Sequence, residues 1–409
     1  MSSTEVINDL EEMVQQMTKQ SGIDKYTIDI EGKTDCADGY LGDILFFSVT
    51  EMGDKRSYFV LKTCKRNKIF REVLCAEAVY ARELCLYSNI FPTLESFLKE
   101  KFMDGFLDFV PKARFTYNIP YRESIILENL KHQDFRLCQR SSTLNLEHIK
   151  LVFETYGKWH GLTMAYRDQC PEKFATLTKN WVDTKVLLWK KFGIYDDFKR
   201  EFLVTIEMFK DCGRNDLVNI YRKLEPHIDS LLSNTGKDDD ILCIIHGDCW
   251  VNNYMFRYEQ LENAKPCEVR FLDFQMALVD SPVLDLSSFF YNVADKNSLN
   301  NLDYLLTIYH ESLSKTMKNL GSNQEKIFSM SDLKQHWKKY GFYAVLALAV
   351  YMKVQLCDPD EAPDFIELIE NGQSFDGTFA FESRNMERIR ERIKERYIHF
   401  GELLKFKKL

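Results

Sequence analysis

No Cys-x-x-Cys pair occurs in the 409 residues, although the chain carries 11 cysteines. An odd count without paired spacing indicates neither a zinc ribbon nor a disulfide framework. No apolar run has the length of a membrane span. The longest, Phe342 to Met352, is about half of what a spanning helix needs and reads as a buried helix. A basic excess is missing too. Lys and Arg number 54 against 62 Asp and Glu, a net charge of -8, which argues against a general nucleic-acid binder. Neither an internal repeat nor a low-complexity segment is present. The first residues, MSSTEVINDLEEMVQQ, are polar and acidic and read as neither a signal nor a transit peptide. These features predict a reduced, cytoplasmic protein with no membrane span.

What the chain does contain is ordinary globular material. It is 45% hydrophobic and 13% aromatic, enough apolar surface to fold, at a length that suits two or three structural units. Residues 43-50 (DILFFSVT) and 56-62 (RSYFVLK) are aromatic and β-branched around a polar turn, which predicts a hairpin. Residues 70-90 carry a helical pattern without Gly or Pro, and 124-128 (SIILE) read as another strand. From Leu144 onward helices dominate. Leu146, Ile149, Phe153, Tyr156 and Trp159 share one helical face. Short strand-like runs at 241-245 and 269-272 interrupt the helices, and 383-406 is amphipathic and charged. The composition turns near Asn129 to Ser142, so the expected domains are 1-128, a sheet with one helix, and 129-409, mainly helical.

The densest cluster of reactive residue types is His246-Gly247-Asp248-Cys249-Trp250-Val251-Asn252-Asn253, directly after the strand at 241-245. Asp273 follows the next apolar strand, in Leu272-Asp273-Phe274-Gln275. Two strands joined by a turn would bring Asp248, Asn253 and Asp273 to one mouth. Oxygens of Asn253 and Asp273 suit Mg²⁺, which keeps few protein ligands, and Asp248 is then free to take a proton from a hydroxyl. An Asp base, an Asn five residues on and a second metal Asp downstream form the layout of a kinase catalytic loop. Upstream, Lys62 closes the strand Tyr58-Phe59-Val60-Leu61, where a kinase places the Lys that meets the phosphates of ATP. Glu72, Glu77 and Glu83 are candidates for its carboxylate partner. His246-Gly247-Asp248 and Asp273-Phe274-Gln275 differ from the His-Arg-Asp and Asp-Phe-Gly of protein kinases, which points to small-molecule phosphotransferases of the same fold.

IIHGDCWVNNYMF followed by VRFLDFQMALVDSPVLDLSSFF resembles the ecdysteroid kinase-like family, over roughly residues 30 to 400. The resemblance implies a bilobal protein-kinase-like α/β (α+β) fold, with a small antiparallel-sheet N-lobe and a mainly helical C-lobe. It implies ATP and Mg²⁺, with phosphoryl transfer to the hydroxyl of a small molecule: an ecdysteroid or a hydroxylated dietary or xenobiotic compound. Among the three glutamates it favours Glu83, in an E-x-x-x-Y pattern with Tyr87. It makes Glu128, Asn129 and Leu130 the hinge facing adenine, with Asn129 where relatives usually carry Asp. It makes Asp285 a brace of the catalytic loop.

Plainer readings compete at several positions. His246 and His160 read as structural histidines, and most aromatic residues of 175-235, such as Trp181, Trp189, Phe192 and Phe198, read as core beside an expected acceptor pocket. Gly32-Lys33-Thr34 imitates the end of a phosphate-binding loop, but Thr27 occupies the required glycine position. Asp38-Gly39-Tyr40-Leu41-Gly42-Asp43, with two glycines before a strand, is the candidate phosphate-covering loop, whose backbone N–H groups could cap phosphates although it is not G-x-G-x-x-G. Asp238 to Asp240 read as a solvated loop, and Lys405, Lys407 and Lys408 as a charged tail. The rival functions are a nucleotide-binding pseudokinase scaffold, a choline- or aminoglycoside-like kinase, and a metallohydrolase built on His246 and Asp248.

Overall fold

The computed structural model describes residues 3–33, 42–53, 55–233, 241–259, 265–373, 375 and 377–405. Thr34, Gly39, Asp238 to Asp240, Lys407 and Lys408 lie outside these described residues.

The amino-terminal part is built on a five-stranded antiparallel sheet of order β1-β2-β3-β5-β4. Its strands are β1 (Tyr26–Lys33), β2 (Gly42–Glu51), β3 (Arg56–Cys64), β4 (Ala113–Tyr117) and β5 (Ser124–Glu128). The alternation of strand side chains sets its two faces. Phe47, Val49, Phe59, Leu61 and Ile126 point to one side and close on Leu10, Met13, Val14 and Met17 of helix α1 (Ser3–Gln20). Val60 and Lys62 therefore point to the other side. Ile44 and Phe46 lie opposite Lys62 and Val60 in the register and share that face.

The expected lone helix of this lobe is corrected to four. The polar start is α1, whose apolar residues at 10, 13, 14 and 17 recur at helical spacing. The expected helix at 70-90 is split into α2 (Lys68–Val73), α3 (Ala76–Cys85), a wide turn at Leu86–Ile90 and α4 (Phe91–Glu100). Cys75, left-handed with φ 49°, makes the break. Propensity carries no signal for it, because the conformation is set by packing.

The carboxy-terminal part is mostly helical. Helix α5 (Leu146–Gln169) starts at Asn145, whose side chain accepts from His148 N, and runs through the core. Five shorter elements carry the chain over the surface: α6 (Pro171–Thr178), α7 (Thr184–Lys191), α8 (Ile194–Asp211), α9 (Asn215–Leu224) and α10 (Ile228–Ser233). After α11 (Pro282–Val293) and α12 (Lys296–Asn300) come α13 (Leu302–Leu320), α14 (Gln324–Ile327), α15 (Met330–Leu356), α16 (Phe365–Glu370) and α17 (Met386–Lys405). Phe342 to Met352 falls inside α15 and is buried but for half-buried Tyr351. No described helix is long and apolar enough to cross a membrane. None of the described cysteines is in a disulfide.

Two small antiparallel sheets carry the site. Strand β7 (Cys243–Ile245) pairs with β10 (Leu278–Asp280). Strand β8 (Tyr254–Tyr258) lies between β6 (Arg136–Leu137) and β9 (Pro266–Phe271). The expected two strands and one turn are thus five strands in two sheets. The short β8 follows Asn253 directly, and its YMFRY sequence was hidden behind the motif.

Candidate active site

The loop from β7 to β8 holds Asp248 and Asn253, and Asp273 follows β9 after one residue. A main-chain bond joins the two segments, Leu272 N donating to Asn253 O at 2.8 Å. The Asn253 amide donates to Asp248 O and to Asp248 Oδ2, both at 2.9 Å. That commits Asn253 Nδ2 and leaves Asn253 Oδ1 as the oxygen it can offer. Asp248 is half-buried, and desolvation together with the negative charge of Asp273 pushes its carboxyl up to about 7, against the Asn253 hydrogen bond.

Lys62 reaches this group from β3. Its ammonium lies 2.7 Å from Glu83 Oε2 and 2.8 Å from Asp273 Oδ1. Burial disfavours the charged Lys62, but the two carboxylates outweigh it and raise its pKa. Burial pushes Glu83 up to about 7, Lys62 opposes it, and Asp273 adds to the rise. Glu72 and Glu77 are exposed, so Glu83 is the glutamate that pairs with Lys62. Gln275 is buried beside it and favours the ionised Glu83.

The loop beneath is held by a buried hydrogen-bond chain. Asp285, in the first turn of α11, accepts from His246 N at 2.6 Å, Gly247 N at 2.9 Å and Cys249 Sγ at 3.1 Å. His160 Nε2 lies 3.2 Å away, with Tyr309 OH 3.1 Å from its Nδ1. Burial would raise the Asp285 pKa, but the hydrogen bond from His160, with the Gly247 amide, brings it below the ordinary value. Burial lowers His160 and His246. His246 Nε2 donates to Leu272 O at 2.7 Å and its Nδ1 accepts from Asp248 N at 3.2 Å, which assigns its tautomer. Both histidines are therefore struts between loop and core.

Gly247 explains the departure from His-Arg-Asp. It has φ +82°, and a Cβ there would collide with the Met276 carbonyl. Asp273 is itself left-handed at φ 62° without being glycine, a conformation that surrounding packing has to enforce. Phe274 behind it is fully buried against Phe91, Trp159 and His246.

At the edge of β5, Glu128 N donates to Lys112 O at 3.0 Å, and its carboxylate accepts from Lys112 N and Gln133 Nε2. Asn129 N donates to Tyr58 O, while its side chain caps the turn at Lys131. Leu130 is buried with Phe135 and Met255. Gly42 opens β2, where a Cβ would strike the Tyr80 hydroxyl and Thr63 O. That is a packing reason for this glycine.

Three further residues at the site escaped sequence reasoning. Phe46 faces the cleft with Lys131 4.2 Å above its ring. Arg82 donates to Ala277 O and, at 2.8 Å, to Val182 O, and lies over Trp181 at 4.2 Å. Lys185 stands in the first turn of α7, whose Thr184 lies 3.3 Å from Met276 Sδ beside the Asp273 loop. The strand alternation around Lys62 could have indicated Phe46. The other two depend on helix contacts between distant segments, for which the sequence holds no signal.

Among the described residues no three His, Cys, Asp or Glu gather as a metal cluster. The donor set here is oxygen only, Asn253 Oδ1 with Asp273, which fits a cation that takes few protein ligands.

A small antiparallel sheet over a helical lobe, with Lys62, Glu83, Asp248, Asn253 and Asp273 at their junction, defines a small-molecule kinase-like protein. Residues 37–322 match the model of the ecdysteroid kinase-like family, and the chain belongs to that family. Two solved structures are similar over nearly their full length. One is the apoenzyme of macrolide 2'-phosphotransferase MphH from Brachybacterium faecium, 13% identical, with a TM-score of 0.37 over 91% of this chain and 100% of that one. The other is the GDP complex of a point mutant of an aminoglycoside 2'-phosphotransferase-IIIa, 10% identical, with a TM-score of 0.42 over 97% of this chain and 99% of that one. No curated protein matches the chain significantly.

Proposed function

We propose that this protein transfers the γ-phosphoryl group of ATP to an alcohol hydroxyl of a small molecule, an ecdysteroid or a hydroxylated dietary or xenobiotic compound. The observation that carries this is the Lys62 ammonium held between Glu83 and Asp273 at 2.7 and 2.8 Å, with Asp248 on the adjoining loop. Four segments far apart in sequence contribute these groups. A turn-capping role for each would not require them to meet.

ATP would lie between the lobes, which divide after Glu128. With the Glu128 amide engaged by Lys112 O, the Glu128 carbonyl and Leu130 N–H are the hinge groups assigned to adenine, under Val60 and Phe46. Lys62, oriented by Glu83, would hold the phosphates. Asn253 Oδ1 and Asp273 would hold Mg²⁺, which supplies charge neutralisation of the phosphate oxygens when bound. Asp248 positions the acceptor hydroxyl and takes its proton while the oxygen forms a bond to the γ-phosphorus. The bond from that phosphorus to the bridging oxygen breaks, and ADP leaves. Its raised pKa makes Asp248 a better proton acceptor than an exposed carboxylate.

The test is ADP release with Mg²⁺ and a panel of ecdysteroids, phenolic alcohols, choline and aminoglycosides. The expected result is acceptor-dependent ADP that falls by about 10² to 10⁴-fold in Asp248→Asn with MgATP binding retained. Turnover unchanged in the variant would remove Asp248 from the base role. ATP binding without turnover on any acceptor would favour the pseudokinase scaffold.

A further inference from the structure

Lys185 has no task in the mechanism above, yet the chain around it is fastened to the site. Asp183 Oδ1 caps α7 by accepting from Val186 N at 3.0 Å. Thr184 Oγ1 lies 3.3 Å from Met276 Sδ, and Arg82 bridges Val182 O to Ala277 O. Met276 also packs over Gly247. The first turn of α7 is thereby tied to the segment that follows Asp273 and rests on the Asp248 loop.

From this turn the Lys185 ammonium lies 5.8 Å from the ring of Trp189 and 5.4 Å from that of Tyr343 on α15. Those two rings stack on each other at 5.8 Å. Among the described residues no hydrogen bond or ion pair is recorded for the ammonium, and the side chain is half-buried. Burial works against its charge, but Asp183, Tyr351, Cys249 and Asp285 overcome this and raise its pKa. Tyr351 stands about two helical turns beyond Tyr343 on α15 and is half-buried. Thr184, the residue before Lys185, touches Met276, which packs over Gly247 next to Asp248, so the turn that carries Lys185 borders the Asp248 loop. Asp183, the carboxylate in the same turn, is engaged by the helix cap.

We propose that Lys185 is the acceptor-binding cation of this site, donating a hydrogen bond to an oxygen of the acceptor beside the hydroxyl that faces Asp248, against a wall of Trp189, Tyr343 and Tyr351. This rests on the phosphotransferase reading and adds a selection rule to it. A ring compound with a carboxylate, carbonyl or phenolic oxygen near its reacting hydroxyl gains a charge-assisted bond. A cationic amine brings a second positive charge beside the first and is disfavoured by on the order of a hundredfold at protein-like dielectric. A half-buried lysine stacked on aromatic residues for packing alone would show no such charge preference.

The test uses a matched pair of probes, para-hydroxyphenylacetate and tyramine, which share the phenol and differ in the sign of the tail. Binding of each is measured by calorimetry without nucleotide on the full chain, and MgATP binding separately. The wild type is expected to bind the anion at least about tenfold more tightly. Lys185→Met should abolish that preference, Lys185→Glu invert it and Lys185→Arg keep it, with MgATP affinity and melting temperature within error of wild type. The proposal is overturned by an unchanged preference in Lys185→Met, by a wild type that favours tyramine or binds neither probe, or by a loss confined to MgATP affinity. Failure of the phosphotransferase reading is separate, because it appears as wild-type protein that does not bind MgATP or that releases no ADP with any acceptor.

Discussion

Gly247 and Asp273 are the two positions where the backbone does what side-chain chemistry requires. Asp273 takes a left-handed turn without glycine, and this aims its carboxylate back at Lys62. Gly247 lets the loop pass under Met276 so that its amide can reach Asp285. Any Cβ at 247 meets both an unfavourable φ and a main-chain carbonyl, neither of which can yield cheaply. Gly247→Ala should therefore lose about 2 to 4 kcal/mol of stability and most of its turnover. The denaturant midpoint and ADP release check this, and a variant unchanged in both would show that the loop can move aside. By contrast, His246 and His160 act through neutral rings whose hydrogen bonds are each assigned to a partner. Their contribution is to hold Asp248, not to exchange its proton.

At the scale of elements, α17 carries a titratable contact of its own. His399 sits against Tyr291 of α11, whose hydroxyl lies 3.1 Å from its Nδ1, and burial pushes its imidazole down to about 4 despite a bond to the Leu299 carbonyl. The unfolded value is about 6.5. Between these values the unfolded chain binds a proton that the native protein does not, so unfolding free energy rises with pH through that window. Stability is intact above about pH 6.5 and falls as the pH drops towards 4, by at most about 3 kcal/mol for this one group. His399→Gln should flatten that part of the stability profile, which urea titrations at pH 4.5, 5.5 and 7 (all about 25 °C) would read. An identical slope in both proteins would place the acid sensitivity elsewhere. Arg82 shows a different use of an element: α3 delivers Glu83 to the cleft, and its neighbour bonds both Ala277 and Val182. The helix that orients Lys62 is thus connected directly to the walls of the Asp273 loop and the approach to α7.

For the molecule as a whole, the site is an interface between lobes. Lys62 and Glu83 belong to the sheet lobe, and Asp248, Asn253 and Asp273 to the helical one. A nucleotide that joins both should stabilise the native state by RT ln(1 + [L]/Kd), about 2.7 kcal/mol at a hundred times Kd. MgATP is therefore expected to raise the melting temperature by roughly a few degrees, and Asp273→Asn to lose most of the rise while melting normally without ligand. An equal shift in the variant would remove Asp273 from the metal role. The aromatic contacts of Phe274 with Phe91 on α4, Trp159 on α5 and His246 carry the packing across the same junction.

The sequence alone determined what local pattern can encode. The hairpin of β2 and β3, the strand at 124-128 and the long helix from Leu146 follow from periodicity, and the D-x-x-x-x-N spacing with a later Asp marked the loop residues. Family resemblance singled out Glu83 from three glutamates. Only tertiary structure decided the rest. The distance from Lys62 to Glu83 and Asp273 depends on how two lobes meet, and α1 was hidden because its apolar stripe is diluted by charges. The breaks at Cys75 and Asp273 are left-handed turns that no propensity favours. Lys185 lies 63 residues before Asp248 in the chain (248 minus 185). Its place beside the site comes from helix packing and from the Arg82 and Met276 contacts, a long-range arrangement that no window of sequence contains.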